Sequence, residues 1–128
     1  MPDNLTPRGF YEGLASRSLM AGWARREPPI ELEAKMRVHV WRAAEARAAL
    51  EEASRFIGTD VAEPRNLIMV NPAPGNTYAT TRSIVAAYQT IQPGETARSH
   101  RHTPAALRLV LDAADDVCTV VDGKRVSI

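Results

Sequence analysis

The chain has 128 residues, the size of one domain, and its 16 Lys and Arg against 15 Asp and Glu give a net charge of +1. This balance excludes the strongly basic surface typical of nucleic-acid-binding proteins, and the single cysteine excludes an internal disulfide framework. No apolar run is long enough to cross a bilayer and the N-terminus has no apolar signal region. We therefore expect a cytoplasmic protein with no nucleic-acid partner and no membrane partner.

Two helices are predicted in the first part of the chain. Phe10 and Leu14 are four residues apart, so a short helix would place both side chains on one face. A longer apolar stripe begins at Ala46 and continues at spacings of four, three and four residues to Ile57. The alanine content favours a helix, and Gly58 is a plausible stop.

Short strands are predicted between and after these helices. Residues 36–40 alternate apolar and polar side chains, which is the period of a half-buried strand, and residues 67–70 form a short apolar run. The loop 71–76 follows, and further strands are predicted over 84–91, 107–111, 117–121 and, after the two-residue turn Asp122-Gly123, 124–128. The predicted organisation is a helical or irregular segment, residues 1–62, followed by a β domain, residues 63–128.

The strongest chemical signal is a pair of histidines. His100 and His102 are two residues apart, so their imidazoles project from the same face of an extended segment and can bind one metal ion. Imidazole suits iron, zinc, copper and nickel alike, and two solvated loop histidines are the alternative interpretation. His39 lies on the polar face of the predicted strand 36–40 and is expected at the surface.

The surroundings of this pair resemble a known family. Gly94 follows a proline, five residues intervene, and His-x-His follows, which is the first half of the cupin signature. The stretches HRHTPAALR, NLIMVNPAPG and VHVWRAAEAR resemble the N-terminal part of the gentisate 1,2-dioxygenase family, with its salicylate 1,2-dioxygenase relatives. The resemblance implies a mainly β fold with an α-helical N-terminal segment, namely a cupin jelly-roll barrel that is incomplete in this chain. Members carry two such barrels and assemble as homo-oligomers.

The resemblance also implies a reaction. Members hold one non-haem Fe(II) on three histidines, two of which match His100 and His102; other divalent metals are also compatible with imidazole ligands. An aromatic hydroxy acid chelates the iron through its carboxylate and hydroxyl, and O2 opens the ring. Gln89 and Arg108 match residues around the substrate. Arginine can pair with a carboxylate through two hydrogen bonds, and glutamine can donate to a phenolate oxygen without adding charge.

Several features leave other interpretations open. Arg108 could belong to a solvated sheet face, and Gln89 could satisfy a neighbouring backbone group. Ala106 and Leu107 stand where many cupins have a glutamate, which favours the gentisate type, and no further histidine follows His102 as a third ligand. The first hypothesis is therefore part of an Fe(II)-dependent ring-cleaving dioxygenase. The alternative is a truncated, non-catalytic cupin that binds metal weakly or acts as an association module.

Overall fold

A computed structural model describes residues 7–24, 35–58, 65–101 and 103–127 of the chain. The chain forms two compact units, residues 1–98 and 99–128. The described part is small and mostly β, with open sheets and a few helices, which is compatible with part of a cupin. Its elements are α1 (Pro7–Ser16), β1 (Leu19–Ala21), a 3-10 helix (Gly22–Ala24), α2 (Ala43–Ala53), β2 (Arg65–Met69), β3 (Ala87–Thr90), β4 (Cys118–Val121) and β5 (Lys124–Ser127).

The first unit is built on a three-stranded antiparallel sheet. Its strand order is β1-β2-β3, so β2 lies in the centre and is hydrogen-bonded along both edges. Leu67, in the middle of β2, is fully buried and lies opposite Tyr88 of β3. The apolar run at residues 67–70 thus forms the predicted buried strand, which begins two residues earlier, at Arg65.

The two predicted helices are confirmed, and both cover the sheet with small or apolar side chains. In α1, Phe10 and Leu14 are buried four residues apart, as the pattern predicts. In α2, the buried side chains are three alanines and Leu50, which allow a close approach to the sheet. The helix ends at Ala53, before the predicted stop at Gly58, although Ile57 is still buried in the turn that follows.

Aromatic contacts hold α1 to the rest of the first unit. The ring of Phe10 stacks on Trp23 with centroids 6.5 Å apart and meets Phe56 edge to face at 5.1 Å. The indole nitrogen of Trp23 donates a 3.0 Å hydrogen bond to the hydroxyl of Tyr11. Such ring pairs contribute about 0.5–1.5 kcal/mol each beyond their buried area. The N-terminal helix is therefore part of the core and not a loose extension.

The strand predicted at residues 36–40 is wrong. These residues have no regular secondary structure, and Val38 is fully exposed. Both edges of β2 are already taken by β1 and β3, so no sheet edge at β2 is open to this segment. The backbone of Arg37 bonds instead to one side chain: its N–H donates to Oδ1 of Asn71 at 3.0 Å, and its carbonyl accepts from Nδ2 at 2.8 Å.

The strand predicted over residues 84–91 is shorter than its apolar pattern indicates. It forms only at Ala87–Thr90, and Ile84 and Ile91 are exposed. The side chain of Thr80 takes the place of some backbone hydrogen bonds between strands. Its hydroxyl donates to the carbonyl of Met69 at 2.7 Å and accepts from the amide of Ala86 at 2.8 Å. A side chain in the preceding loop thus satisfies groups that a longer strand would have paired.

The second unit contains the predicted hairpin. β4 and β5 pair antiparallel, and both turn residues have positive φ, 48° at Asp122 and 77° at Gly123, as a tight two-residue hairpin turn requires. The strand predicted at residues 107–111 is wrong: these residues have no regular structure, and Leu107 is 97% exposed. An alternating pattern forms a strand only where a neighbouring strand accepts its hydrogen bonds, and among the described residues none does so here.

The predicted boundary between residues 62 and 63 lies outside the described residues and stays a prediction. Within the described ranges, no helix is long and apolar enough to cross a membrane.

Gly22 gives a test of how closely the 3-10 helix approaches β2. A Cβ at this position would overlap Oδ1 of Asn66 and lie 2.6 Å from its Cγ, so we expect Gly22→Ala to lower the free energy of unfolding by about 1–3 kcal/mol. Gly13 in α1 is the matched control, because a Cβ there meets nothing closer than 3.9 Å. Gly13→Ala should be neutral or stabilise by up to about 1 kcal/mol in urea denaturation; equal losses would contradict this packing.

Candidate functional site

The sequence signature begins at a well-defined turn after β3. Gly94 has φ of 82°, a conformation that favours glycine, and the amide of Glu95 donates to the carbonyl of Gln92 at 3.0 Å. Pro93 and Gly94 thus form a tight turn, as their residue types favour. The residues that follow, up to residue 101, have no regular secondary structure.

The two predicted metal ligands are described unequally. His100 is exposed and lies in the second unit, on a stretch without helix or strand. His102 lies outside the described residues. The common orientation of the two imidazoles therefore stays a prediction, based on their spacing of two residues.

An ion pair between a buried arginine and a half-buried glutamate holds the turn that starts this signature. Arg65, at the first position of β2, is 1% exposed, and its Nη2 donates to Oε2 of Glu95. The same oxygen accepts a 2.7 Å hydrogen bond from the backbone amide of Gln92. The hydrogen bond from Arg65, followed by that from Gln92, lowers the pKa of the Glu95 carboxyl below its usual range. The carboxylate is thus ionised at neutral pH, and its Oε2 accepts both hydrogen bonds.

The same guanidinium also bonds to the turn that follows α2. Nη1 of Arg65 donates to the carbonyl of Ile57 at 2.8 Å, whereas Nε is buried with no hydrogen-bond partner among the described residues. A second link runs parallel to it: Nε2 of Gln92 donates to the hydroxyl of Ser54 at 3.2 Å, and that hydroxyl donates to the carbonyl of Leu50. The turn after β3 is thereby connected both to the start of β2 and to the end of α2.

Gln89 and Arg108, the predicted substrate-contacting residues, are both exposed. Gln89 belongs to β3, where Tyr88 and Thr90 are half-buried and Gln89 is on the exposed side of the alternation. Arg108 lies in the second unit, within the exposed residues 103–111. Exposed polar side chains are available to a ligand, and the roles assigned to these two residues stay predictions.

His39, expected at the surface, is half-buried. Its ring meets Trp41 edge to face with centroids 4.7 Å apart. The indole nitrogen of Trp41 in turn donates to the carbonyl of Ser18 at 2.9 Å. His39 therefore has a packing role in the first unit, on a different unit from His100.

The residue types of the histidine pair suit a divalent transition metal, because the imidazole nitrogen is a good ligand for such ions. Within the described ranges, no group of three or more His, Cys, Asp or Glu is placed to hold a metal ion. Sequence reasoning did not single out Arg65 and Glu95. The available signal for Arg65 was a charged residue at the start of an apolar strand. For Glu95, a glutamate in a turn was only a weak signal.

Comparison with known proteins shows which family this chain resembles. It is 36% identical over 121 residues to gentisate 1,2-dioxygenase 1 of Aquipseudomonas alcaligenes, which is 93% of this chain and 35% of that protein. It is 40% identical over 86 residues, 66% of the chain and 22% of the relative, to a 1-hydroxy-2-naphthoate 1,2-dioxygenase of a Nocardioides species. A 5-aminosalicylate 1,2-dioxygenase of a Comamonas species is 30% identical over 91% of the chain and 32% of its own length.

These matches confirm the resemblance to the gentisate 1,2-dioxygenase family, over about a third of the relatives' length. No protein-family profile matches the chain. No solved structure matches it either. The similarity therefore shows related sequence over most of this chain, and the activity of the much longer relatives is a matter for proposal.

The ion pair predicts how stability depends on pH. Because the folded pKa of Glu95 is lowered, the unfolded state binds more protons, so the contribution of the pair is present above the usual glutamate value of about 4.3 and is lost as pH falls through the lower folded pKa. We expect Glu95→Gln to lower the free energy of unfolding by about 1–3 kcal/mol at pH 7 and by progressively less below about pH 4.

The control for this measurement is Glu51→Gln on the exposed side of α2, where a change below about 0.5 kcal/mol is expected at any pH. Denaturant unfolding from pH 3 to 7 measures both variants. A Glu95→Gln loss that is the same at both ends of this range would contradict the role of the carboxylate charge.

Proposed function

We propose that this chain is part of a ring-cleaving dioxygenase of the gentisate type, which uses Fe(II) and O2 to open the ring of a hydroxybenzoate-type acid. The observation that carries the proposal is the 36% identity to a gentisate 1,2-dioxygenase over 93% of the chain. The His-x-His pair gives it a chemical basis. A cytoplasmic location, a homo-oligomeric assembly, and a division into a helical segment (residues 1–62) and a cupin part (residues 63–128) belong to the same proposal.

In this proposal His100 and His102 supply two of the ligands that hold the iron. A metal ion held by these residues would supply the Lewis-acid and redox chemistry that a reaction between an aromatic acid and O2 requires. Two imidazoles leave most of the coordination sphere open, which suits a site that must also bind substrate and O2. Since the described residues offer no group of three ligands, the proposal requires at least one further donor in addition to the pair.

Arg108 and Gln89 are proposed to orient the substrate. A guanidinium stays charged at any physiological pH and can donate two parallel hydrogen bonds to a carboxylate. Gln89 is proposed to donate its amide N–H to the phenolic oxygen, fixing the ring without introducing a charge. Both residues are exposed, and neither is part of the core.

The substrate class follows from what the relatives have in common. Their names specify gentisate, 1-hydroxy-2-naphthoate and 5-aminosalicylate, which differ in ring number and in the remote substituent. All three have a hydroxyl and a carboxylate on adjacent ring carbons. We therefore propose an acid with this adjacent pair as the substrate, because the pair can chelate a metal while the carboxylate meets an arginine.

A second candidate function, association with another protein chain, is favoured by the exposed leucines of the second unit. Leu107, Leu109 and Leu111 are 97%, 82% and 63% exposed within five residues. Exposed large apolar side chains this close together in sequence favour an interface. Iron binding separates the two candidates, because both allow association: a chain that self-associates in sedimentation velocity but binds no Fe(II) in anaerobic equilibrium dialysis would favour the second.

The metal site is tested by two histidine variants. We expect the wild-type chain to bind Fe(II) in anaerobic buffer and His100→Ala to reduce the affinity at least tenfold, because one of two imidazole ligands is lost. His39→Ala is the matched control and should leave the affinity unchanged. Equilibrium dialysis with metal analysis measures both variants, and equal losses would show that the wrong ligands have been chosen.

The carboxylate contact is tested by comparing two ligands that differ in one group. In the anaerobic Fe(II)-loaded chain, Arg108→Gln should weaken gentisate binding about tenfold, as expected for loss of a charge-assisted hydrogen bond. Binding of hydroquinone, which lacks the carboxylate, should not change. Arg55→Gln, at an exposed position after α2, is the control. Calorimetric titration that shows equal losses for both ligands would contradict this role of Arg108.

A further inference from the structure

Residues 35–42, which we call the basic strip, are held in place although they form no helix or strand. Both backbone groups of Arg37 bond to the side chain of Asn71, a buried residue. Four residues later, the indole nitrogen of Trp41 donates to the carbonyl of Ser18. The strip is therefore fixed to the first unit at two points.

Two valines between these points are exposed to solvent. Val38 is 102% exposed and Val40 is 76% exposed, whereas His39 between them is half-buried. Because the backbone on both sides is bonded to the first unit, little conformational entropy is lost when a partner covers these valines. Apolar side chains that are both fixed and exposed favour a binding surface.

The basic strip also carries charge of one sign. It contains three cations and no carboxylate, and all three cations are exposed, namely Lys35, Arg37 and Arg42. A partner that covers the valines must come close to these cations. An acidic partner is attracted by them, whereas a basic partner is repelled. The surface that fits is therefore apolar and carries several carboxylates.

The chain itself contains such a surface in its second unit. Residues 109–117, which we call the acidic strip, contain three carboxylates and no cation. The carboxylates belong to Asp112, Asp115 and Asp116, and all three residues are exposed. The strip also exposes four large apolar side chains, those of Leu109, Val110, Leu111 and Val117. The two strips thus carry equal numbers of opposite charges beside exposed apolar side chains.

We propose that the basic strip of one copy of the chain binds the acidic strip of another copy. The valines of the first meet the leucines of the second, and the cations meet the carboxylates. The inference deepens the homo-oligomeric assembly that is part of the proposed function, and it is independent of the iron chemistry. Each copy has one strip of each kind, so a copy can bind others through both.

Charge reversal tests this contact in the full chain by sedimentation velocity. We expect the wild-type chain to self-associate at micromolar concentrations. Two double variants, Arg37→Glu/Arg42→Glu and Asp115→Arg/Asp116→Arg, should each lower the association constant about tenfold or more, because both strips then have net charge of the same sign. All four side chains are exposed, so the fold should be retained, and circular dichroism checks this.

A mixture of the two variants gives the sharpest measurement. Each variant keeps the strip that the other has reversed, and the two reversed strips have net charges of opposite sign. An equimolar mixture should therefore associate as strongly as the wild-type chain, although neither variant does so alone. If a double variant does not fold, the single reversals Arg42→Glu and Asp116→Arg take its place in the same mixture.

Two further variants separate this contact from a general effect of net charge. Arg55→Glu/Arg82→Glu reverses two exposed arginines outside both strips and should leave the association unchanged. Val38→Ser/Val40→Ser keeps the net charge and should weaken the association, because the apolar part of the contact is lost.

The possible failures are distinguishable. A wild-type chain that stays monomeric would overturn both this contact and the assembly of the chain, while its binding of Fe(II) in equilibrium dialysis would still test the metal site. Self-association that either reversal leaves unchanged would overturn the contact and leave the assembly in place. So would a mixture of folded variants that does not recover the wild-type association.

Discussion

One buried guanidinium connects three parts of the first unit. Arg65 is the first residue of the central strand β2, and it bonds to the turn after α2 through the carbonyl of Ile57 and to the turn after β3 through Glu95. Removing a charged side chain from water is costly, and an apolar side chain of similar size often serves stability as well. What an apolar residue cannot supply is directional hydrogen bonding, which the guanidinium makes to both of these turns. The helix, the strand and the turn are therefore fixed relative to one another by this residue.

Elements that depend on neighbours in sequence were predictable. The alanine-rich face of α2 can pack on any apolar surface. The Asp122-Gly123 sequence favours a hairpin turn, and both residues have positive φ. The short apolar strand β2 is also clear, because its side chains suit only a buried position. These three predictions depend on residues that are close together in the sequence and do not require a particular partner far along the chain.

Elements that depend on a partner far along the chain were not predictable. Residues 36–40 have the alternation of a strand, but β1 and β3 occupy both edges of β2, and Asn71 bonds to the backbone of Arg37 in place of a strand. The Arg65–Glu95 pair joins residues 30 positions apart, and no local pattern links them. Within the candidate site, the exposed position of Gln89 follows from the alternation in β3, whereas the residues that hold the turn before His100 are known only from their contacts.

The hydrogen bonds of the Glu95 carboxylate also bear on whether this residue could bind the proposed iron. A glutamate close in sequence to a His-x-His pair is an obvious candidate for a metal ligand, since carboxylate oxygens bind divalent cations well. Here Oε2 already accepts from a buried guanidinium and from the Gln92 amide, and the lowered pKa of the carboxyl reflects how strongly these donors hold it. Ligation through Oε2 would leave the charge of Arg65 buried and unpaired, which is a large penalty. The imidazoles are the proposed iron ligands, and the contacts of Oε2 give Glu95 a structural role beside them in sequence.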